Sequence, residues 1–264
     1  MPEQTSPADP AVNPLLKQFV EVAPLYDKLM HDVPYPSWMR YLKEHLDQAS
    51  LSPTSVLDLA CGTGNVSELL AREGHEVVGA DISEAMIAAA RDKAAAAGLP
   101  IRYSVQDAAE LSLPGCQFDL CVSLFDSLNY VLDPERLQMA FARVFAHLRP
   151  GGLFLFDMNS EYALMNHFFD QSNRAADAEL RYDWVSEYYP ETRRCRIAMQ
   201  FWHRQADGSD RKFHEEHWQF AYREEEVAAM LERAGFTAVR AYQAYTLRPA
   251  HRLTDRIFYS AKRP

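Results

Sequence analysis

A short segment near residue 60 holds the residue types that an α/β protein uses to bind a nucleoside. Residues 56–59 are apolar apart from Asp58, and two glycines follow at Gly62 and Gly64. The apolar run predicts a strand that is buried on both faces. Glycine permits positive φ and a close approach of the backbone to a ligand. Residues 65–73 are amphipathic, so we expect the turn to lead into a helix whose N-terminus faces the ligand.

Two other nucleotide sites use a glycine turn, and neither fits this chain. The dinucleotide fingerprint Gly-x-Gly-x-x-Gly requires a third glycine where Ser67 stands, and a P-loop requires a Gly-Lys-Ser/Thr ending that is missing. About 20 residues beyond the turn, Asp81 ends a second apolar run, where a ribose-binding carboxylate belongs. A carboxylate can accept hydrogen bonds from both ribose hydroxyls. A third run ends at Asp107.

The segment Asp58-Leu59-Ala60-Cys61-Gly62-Thr63-Gly64-Asn65 resembles the first motif of the class I S-adenosylmethionine-dependent methyltransferases. The resemblance is strong over about residues 50–160 and implies S-adenosyl-L-methionine as the cofactor. It also implies that Asp107 accepts from the adenine amine, that the backbone of Ala108 serves a ring nitrogen and that Ile82 packs on the adenine face. The cofactor contacts expected from the resemblance and the acids together are Asp58, Ala60, Gly62, Gly64, Asp81, Ile82, Asp107, Ala108 and Leu124.

Each acid also has an ordinary structural explanation. Asp58 can be a strand-end carboxylate, and Asp81 can cap the helix that follows Ser83. These explanations do not account for the two acids standing in register with the glycine turn. The alanine-rich helix predicted over residues 85–97 is interpreted as packing against the sheet.

Strand-like and helix-like segments alternate, which predicts a parallel sheet. We expect an α/β fold, a doubly wound, mostly parallel, seven-stranded Rossmann-like methyltransferase sheet formed by residues 51–179 and 221–264. Its last two strands resemble the reversed edge strands of the family. The remaining predicted elements are strands at 101–105, 118–124, 153–158, 237–242 and 257–261, a helix at 134–148 after Asp133 and a helix at 224–234.

An insertion at residues 180–220 contains three strand-like runs that are separated by turn residues. It is predicted to form an antiparallel β lid over the carboxyl ends of the parallel strands, where open α/β sheets bind ligands. Its aromatic residues can line a pocket or form a small core of their own, because strands generally favour aromatics.

The N-terminal region is a second addition. Residues 1–13 are rich in proline and polar residues and are expected to be disordered, and residues 14–50 are expected to form a helical cap in which Ser37 caps the second helix. The cap resembles a segment of bacterial small-molecule methyltransferases that closes over the cofactor. That likeness implies that Tyr26 and Trp38 touch the methionine end of the cofactor and that Tyr35 faces the acceptor. The alternative is that these aromatics only dock the helix on the domain.

Composition narrows the partners. Lys and Arg number 27 against 37 Asp and Glu, a formal net charge of −10, so no basic footprint for nucleic acid is present. The 264 residues contain no apolar run of membrane-spanning length and no signal peptide, so we expect a cytoplasmic protein that does not act at a membrane. The four cysteines lack Cys-x-x-Cys spacing and are expected to be reduced. A homodimer stays possible.

The expected reaction is methyl transfer to an O or N nucleophile of a small molecule. Tyr35, His203 and His217 are the candidate catalytic residues, with the histidines as proton acceptors and Tyr35 as an orienting hydroxyl. No metal is expected, since Asp126, Asp157 and Asn159 lack the adjacent Asp-Asn of magnesium-using relatives. Transfer of another group from the cofactor and a non-catalytic cofactor-binding subunit are the alternatives.

Overall fold

The structure is a computed structural model that describes residues 18–175 and 177–264. The predicted disorder of residues 1–13 and the first residues of the cap lie outside this part of the chain. The strands are β1 (Ser55–Leu59), β2 (Glu76–Asp81), β3 (Arg102–Val105), β4 (Phe118–Ser123), β5 (Leu148–Asn159), β6 (Gln171–Asn173), β7 (Leu180–Tyr189), β8 (Arg194–Arg204), β9 (Asp210–Phe220), β10 (Thr237–Gln243) and β11 (Arg256–Lys262). The helices are α1 (Tyr26–Leu29), α2 (Tyr35–Ala49), α3 (Asn65–Arg72), α4 (Glu84–Ala96), α5 (Pro134–His147), α6 (Glu161–Met165) and α7 (Glu224–Arg233).

Seven strands form the central sheet in the order β10-β11-β5-β4-β1-β2-β3. The pairs among β1 to β5 are parallel, and β11 runs antiparallel to both β5 and β10. The strand order reverses beside β1, so the carboxyl ends of β1, β2 and β4 open a crevice where ligands bind in such sheets. The predicted fold class and its reversed edge strands are confirmed.

Apolar side chains cover both faces of this sheet. On one face α5 and α7 contribute Phe141 and Leu231, and on the other α2 and α3 contribute Leu42 and Leu70. The strands between them are buried on both sides, which explains why β1 reads as a continuous apolar run. The acid Asp58 within this run therefore lies in the interior rather than at the surface.

Helix starts follow local capping chemistry. Ser83 accepts a hydrogen bond from the backbone N–H of Met86 at 3.3 Å, and Asp133 accepts one at the start of α5, as the sequence predicts. The predicted cap at Ser37 is wrong, because α2 begins two residues earlier, at Tyr35. Pro36 lies in its first turn, where a missing N–H costs nothing.

The insertion forms a second, antiparallel sheet in the order β6-β7-β8-β9. Strands β7 to β9 match the three predicted runs, while β6 is a short strand of polar residues that carries no sequence signal. Phe201 and Phe213 stack in its interior at 4.8 Å, and Val22 and Leu25 of the cap pack against the same cluster. The lid thus shares its core with the N-terminal segment.

Candidate functional site

The two glycines of the turn after β1 have different roles. Gly62 has φ +54°, and no atom lies within 4 Å of the position that a Cβ would take, so the backbone is open to a ligand there. Gly64 has φ +80°, and a Cβ would lie 2.3 Å from the hydroxyl oxygen of Tyr103. Gly64 is therefore required by packing under the turn, whereas Gly62 lines the cavity described below.

Asp81 lies at the end of β2 beside this turn. Its two carboxylate oxygens accept hydrogen bonds from the backbone N–H groups of Gly62 and Ser83, both at 2.8 Å. Burial raises the pKa of Asp81, and the two backbone donors partly oppose that effect. Each oxygen keeps a further lone pair for a ligand. Asp81 lines the cavity together with Ile82.

Asp58 is a buried residue that contacts the helix following the glycine turn. Its side chain accepts a 2.5 Å hydrogen bond from the hydroxyl of Ser67, the residue that stands in place of a third glycine. Burial and the neighbouring Asp81 raise the pKa of Asp58 to about 7. Asp58 is not among the cavity-lining residues, so its contact with the cofactor stays a prediction.

Asp107 and Ala108 line the far end of the cavity. Oδ1 of Asp107 accepts from the backbone N–H of Ala109 at 2.9 Å, and Oδ2 pairs with Arg136 at 2.7 Å. These two contacts hold the Asp107 carboxylate in place. The adenine contact itself stays a prediction.

One continuous cavity of about 310 Å³ joins the glycine turn to the lid. Its first half is lined by residues at the carboxyl ends of β1, β2 and β3, as expected at the point where the strand order reverses. Its second half is mainly apolar and aromatic. The Phe, Tyr and Trp side chains that line the cavity are Phe19, Tyr26, Phe125, Tyr130, Phe168, Phe169, Trp184 and Phe201.

A buried histidine and carboxylate lie at the lid side of the cavity. His217 on β9 lines the cavity, and its Nε2 lies 2.7 Å from Oε2 of Glu215. Both side chains are nearly fully buried, at 1% and 4% exposed. The other ring nitrogen of His217, Nδ1, has no hydrogen-bond partner among residues 18–175 and 177–264. The ring of Phe19 covers the imidazole at 4.2 Å between centroids.

A network of charged and polar side chains also borders the cavity. Arg256 pairs with Asp126 at 2.8 Å and with Asp157, and Gln219 donates to Asp126 at 2.6 Å. Burial raises the pKa of Asp126, although Arg256 opposes that shift. Phe125 and Asp126 both have positive φ, and their N–H groups donate to Asp157. Such strained non-glycine backbone is held by its surroundings and is frequent at functional sites.

The N-terminal cap contacts the glycine turn through Asp27. Its carboxylate accepts from Thr63 at 2.6 Å and Asn65 at 3.0 Å and pairs with Lys93 at 2.7 Å. Tyr26, the preceding residue, lines the cavity, and burial raises the pKa of its hydroxyl well above the usual value. The contact of Tyr26 with the cofactor stays a prediction.

The other two predicted site residues of the cap, Tyr35 and Trp38, lie outside the cavity lining. The hydroxyl of Tyr35 accepts from Asn65 at 3.1 Å, beside the turn. Trp38 is buried in the core under α2, stacks on Tyr245 and contacts Phe125. For Trp38, the structure favours docking of the helix on the domain.

His203 lies at the outer end of the lid, 3.5 Å from Glu179, and does not line the cavity. Leu124 is buried in the same core cluster as Trp38, also outside the lining. Of the three candidate catalytic residues, only His217 lines the cavity. Sequence reasoning overlooked Glu215, although residues two apart on a strand share a face and His217 was already a candidate.

No group of His, Cys, Asp or Glu in the described ranges is arranged to hold a metal ion. In the same ranges, every helix is too short or too polar to cross a bilayer.

Comparisons with known proteins agree with this geometry. Residues 56–152 match the family model of the methyltransferase domain. A Geobacillus sp. (strain WCH70) protein that carries the name "putative methyltransferase" is 33% identical over 240 residues, which cover 90% of this chain and 96% of that protein. The crystal structure of an S-adenosylmethionine-dependent methyltransferase from Clostridium acetobutylicum superposes with a TM-score of 0.81 at 31% identity, covering 92% of this chain and 97% of that one. A demethylmenaquinone methyltransferase from Thermus thermophilus is 37% identical over 51% of this chain and 60% of its own length.

Proposed function

Because this chain belongs to the class I S-adenosylmethionine-dependent methyltransferases, we propose that it methylates an O or N nucleophile on an uncharged, largely apolar small molecule. The observation that carries the proposal is the single cavity that joins a nucleoside-type crevice to an apolar chamber containing His217. Transfer of a group requires that the cofactor and the acceptor meet, and one cavity lined by both the glycine turn and the lid allows this.

The first half fits the cofactor on three observations. The space above Gly62 is open, Asp81 presents a buried carboxylate at the wall, and Ile82 and Met86 offer apolar surface. We assign the ribose hydroxyls to Asp81 and the adenine ring to Ile82, Asp107 and Ala108. When bound, the cofactor supplies an electrophilic methyl group on a sulfonium, so the protein mainly has to align the acceptor, exclude water and remove a proton.

The second half supports an uncharged acceptor. Among the described residues that line the cavity, Arg256 is the one Arg or Lys, and it is paired with two carboxylates. A phosphorylated or carboxylated acceptor would find no available cation there, and burying an unpaired anion is costly. Aromatic walls instead favour an apolar body. We assign proton removal to His217, which has an unpartnered nitrogen in this chamber.

The relatives leave the choice between oxygen and nitrogen open. Solved structures with this fold include an amino pentose methyltransferase from Micromonospora echinaspora at 22% identity and a TM-score of 0.71. At that identity the likeness concerns the fold alone.

The test uses methyl-labelled S-adenosylmethionine and fractionated metabolite extract. We expect one or a few compounds to gain the label and the mass of a methyl group replacing hydrogen, about 14 Da before the heavier isotope is added, with release of S-adenosylhomocysteine. The control is the Asp81→Ala variant, in which we expect cofactor binding to be weakened. Cofactor binding by the parent without label transfer to any fraction would contradict the proposal. A labelled product that bears a phosphate or carboxylate near the methylated atom would contradict the uncharged acceptor.

A further inference from the structure

Strand β9 presents two ionisable side chains on its inner face. Glu215 and His217 alternate with the exposed residues His214 and Glu216, as the period of a strand requires. Glu216 pairs with Arg196 on the outer face. A carboxylate buried in an apolar lid must be paired, and the side-chain partner of Glu215 is an imidazole that itself lines the cavity. The contact therefore calls for an explanation beyond packing.

The hydrogen bond between them determines which nitrogen of His217 carries a proton. Burial alone would raise the pKa of Glu215, but the hydrogen bond from His217 and two backbone donors bring the pKa below its ordinary value. An ionised carboxylate can only accept, so Nε2 must be the donor. In a neutral imidazole Nδ1 is then a hydrogen-bond acceptor. That atom is buried and lacks a partner within the described ranges, which is unfavourable unless a ligand supplies one.

The same carboxylate also binds the N-terminal segment, residues 18–22. Oε2 of Glu215 accepts from the backbone N–H of Phe19 at 3.0 Å, and Oε1 accepts from that of Val22 at 2.8 Å. Gln18 adds a further bond, because its side-chain oxygen accepts from the N–H of Trp218 at 3.1 Å. Phe19 has φ +59°, a strained value for a bulky residue, and places its ring on His217.

This segment continues directly into the contacts with the cofactor half. Asp27, a few residues further on, bonds to Thr63 and Asn65 of the glycine turn. Residues 18–29 thus contact Glu215 at one end of the cavity and the glycine turn at the other.

We propose that Glu215 is a positioning residue, which keeps His217 protonated on Nε2 so that Nδ1 can take the proton from the molecule that is methylated. This arrangement depends on residues 18–22 lying across β9. The inference rests on the proposed function, since the proton comes from the hydroxyl or amine that is methylated. In the transfer, the hydroxyl or amine gives its proton to Nδ1 and its nucleophilic atom bonds to the methyl carbon. The electron pair of the broken sulfur–carbon bond stays on sulfur. Glu215 remains ionised and faces the imidazolium that forms.

The first experiment reads the tautomer of His217 directly. Two-bond proton–nitrogen correlation spectra of protein labelled with ¹⁵N-histidine distinguish the two neutral tautomers without any acceptor or cofactor. We expect a single form of His217 with Nε2 protonated in the parent, and a mixed or reversed form in Glu215→Met, which keeps the side-chain length but removes both acceptors. Glu216→Met, on the outer face of the same strand, is the matched control. An unchanged tautomer in Glu215→Met would overturn the proposal.

The second experiment measures amide hydrogen exchange at Phe19 and Val22. Loss of one net hydrogen bond corresponds to roughly 5- to 10-fold faster exchange. We expect this acceleration in Glu215→Met but not in Glu216→Met. Should Glu215→Met fail to fold, Glu215→Gln serves, because its one oxygen must abandon either His217 or Val22. A Gln variant that changes neither the tautomer nor the exchange of Val22 would overturn the proposal.

The third experiment uses the acceptor that the extract assay identifies. General base catalysis contributes about 10²- to 10⁴-fold, so we expect kcat to fall at least about 10-fold in Glu215→Met, which removes both acceptors, while the KM for the acceptor changes little. Methyl transfer by the parent with an unaltered kcat in this variant would overturn the positioning role and leave the proposed function intact. Conversely, a tautomer shift in the variant with no transfer by the parent would support the role of Glu215 in placing the proton while contradicting the proposed function.

Discussion

Removal of the Asp81 carboxylate provides the sharpest test of the cofactor site. Two of its roughly four lone-pair positions accept from Gly62 and Ser83, and the residue lines the cavity. If a ribose hydroxyl donates to the ionised carboxylate, that bond is worth about 1.5 to 3 kcal/mol. We therefore expect Asp81→Ala to weaken S-adenosylmethionine binding by roughly 10- to 100-fold.

The structure also predicts that this loss does not arise from unfolding. Burial raises the pKa of Asp81, so the ionised carboxylate is held in the fold at some cost in free energy. Alanine removes that cost but leaves two backbone N–H groups without their acceptor, and the two effects oppose each other. The melting temperature of the unliganded variant should therefore remain close to that of the parent.

Isothermal titration calorimetry of the parent and the variant measures the affinity, and thermal denaturation without cofactor measures the stability. The matched control is Glu76→Ala, an exposed acid at the opposite end of β2, which should change neither. Unaltered affinity in Asp81→Ala would refute the ribose assignment. A strongly lowered melting temperature alongside the weakened binding would show that the turn itself had collapsed.

Three further predictions concern Asp107, Trp184 and His45. Asp107→Ala should weaken cofactor binding less than Asp81→Ala does and should reduce the discrimination between adenosyl and inosyl analogues. Glu110→Ala is the control, because Glu110 also pairs with Arg136 but does not line the cavity. Equal discrimination in Asp107→Ala and the parent would remove Asp107 from the adenine site. Trp184→Ala should leave cofactor affinity within about twofold while lowering transfer to the extract acceptor, and a large loss of cofactor affinity would place the lid in the cofactor site. Burial lowers the pKa of His45 to about 4, below the unfolded value near 6.5. The free energy of unfolding should therefore fall by roughly 3 kcal/mol as the pH falls from 6.5 to 4, because the unfolded state binds the proton first. Urea titrations of His45→Phe should show a flatter pH dependence than those of the parent, and an identical slope would contradict this reasoning.

The central sheet could be predicted from the sequence because its signals are local. Strand β1 is buried on both faces and must be apolar throughout, and the caps at Ser83 and Asp133 satisfy N–H groups only a few residues away. The start of α2 could not be assigned in the same way. Ser37 and Tyr35 are both plausible starts by local rules, and the outcome depends on where Trp38 and Leu42 reach the sheet.

The acceptor half of the site depends on contacts between residues that are far apart in the chain. Arg256 lies about 100 residues from Asp157 and about 130 from Asp126, and no short pattern announces a pairing over that separation. The same limit applies to Tyr35 and His203, which have suitable side chains but lie outside the cavity lining. Residue type identifies candidates, whereas the packing of the lid selects among them.

Glu215 illustrates how a sequence signal can exist and still be read incompletely. The run His214-Glu215-Glu216-His217 resembles a metal motif, and strand alternation correctly separates its two histidines. The same alternation places Glu215 with His217, on the face that the apolar neighbour Phe213 marks as interior. A carboxylate on a buried strand face has to find donors, and here they are the imidazole and the N–H groups of Phe19 and Val22. An acid and a histidine two residues apart on the apolar face of a strand therefore predict a buried pair, as Glu215 and His217 form here.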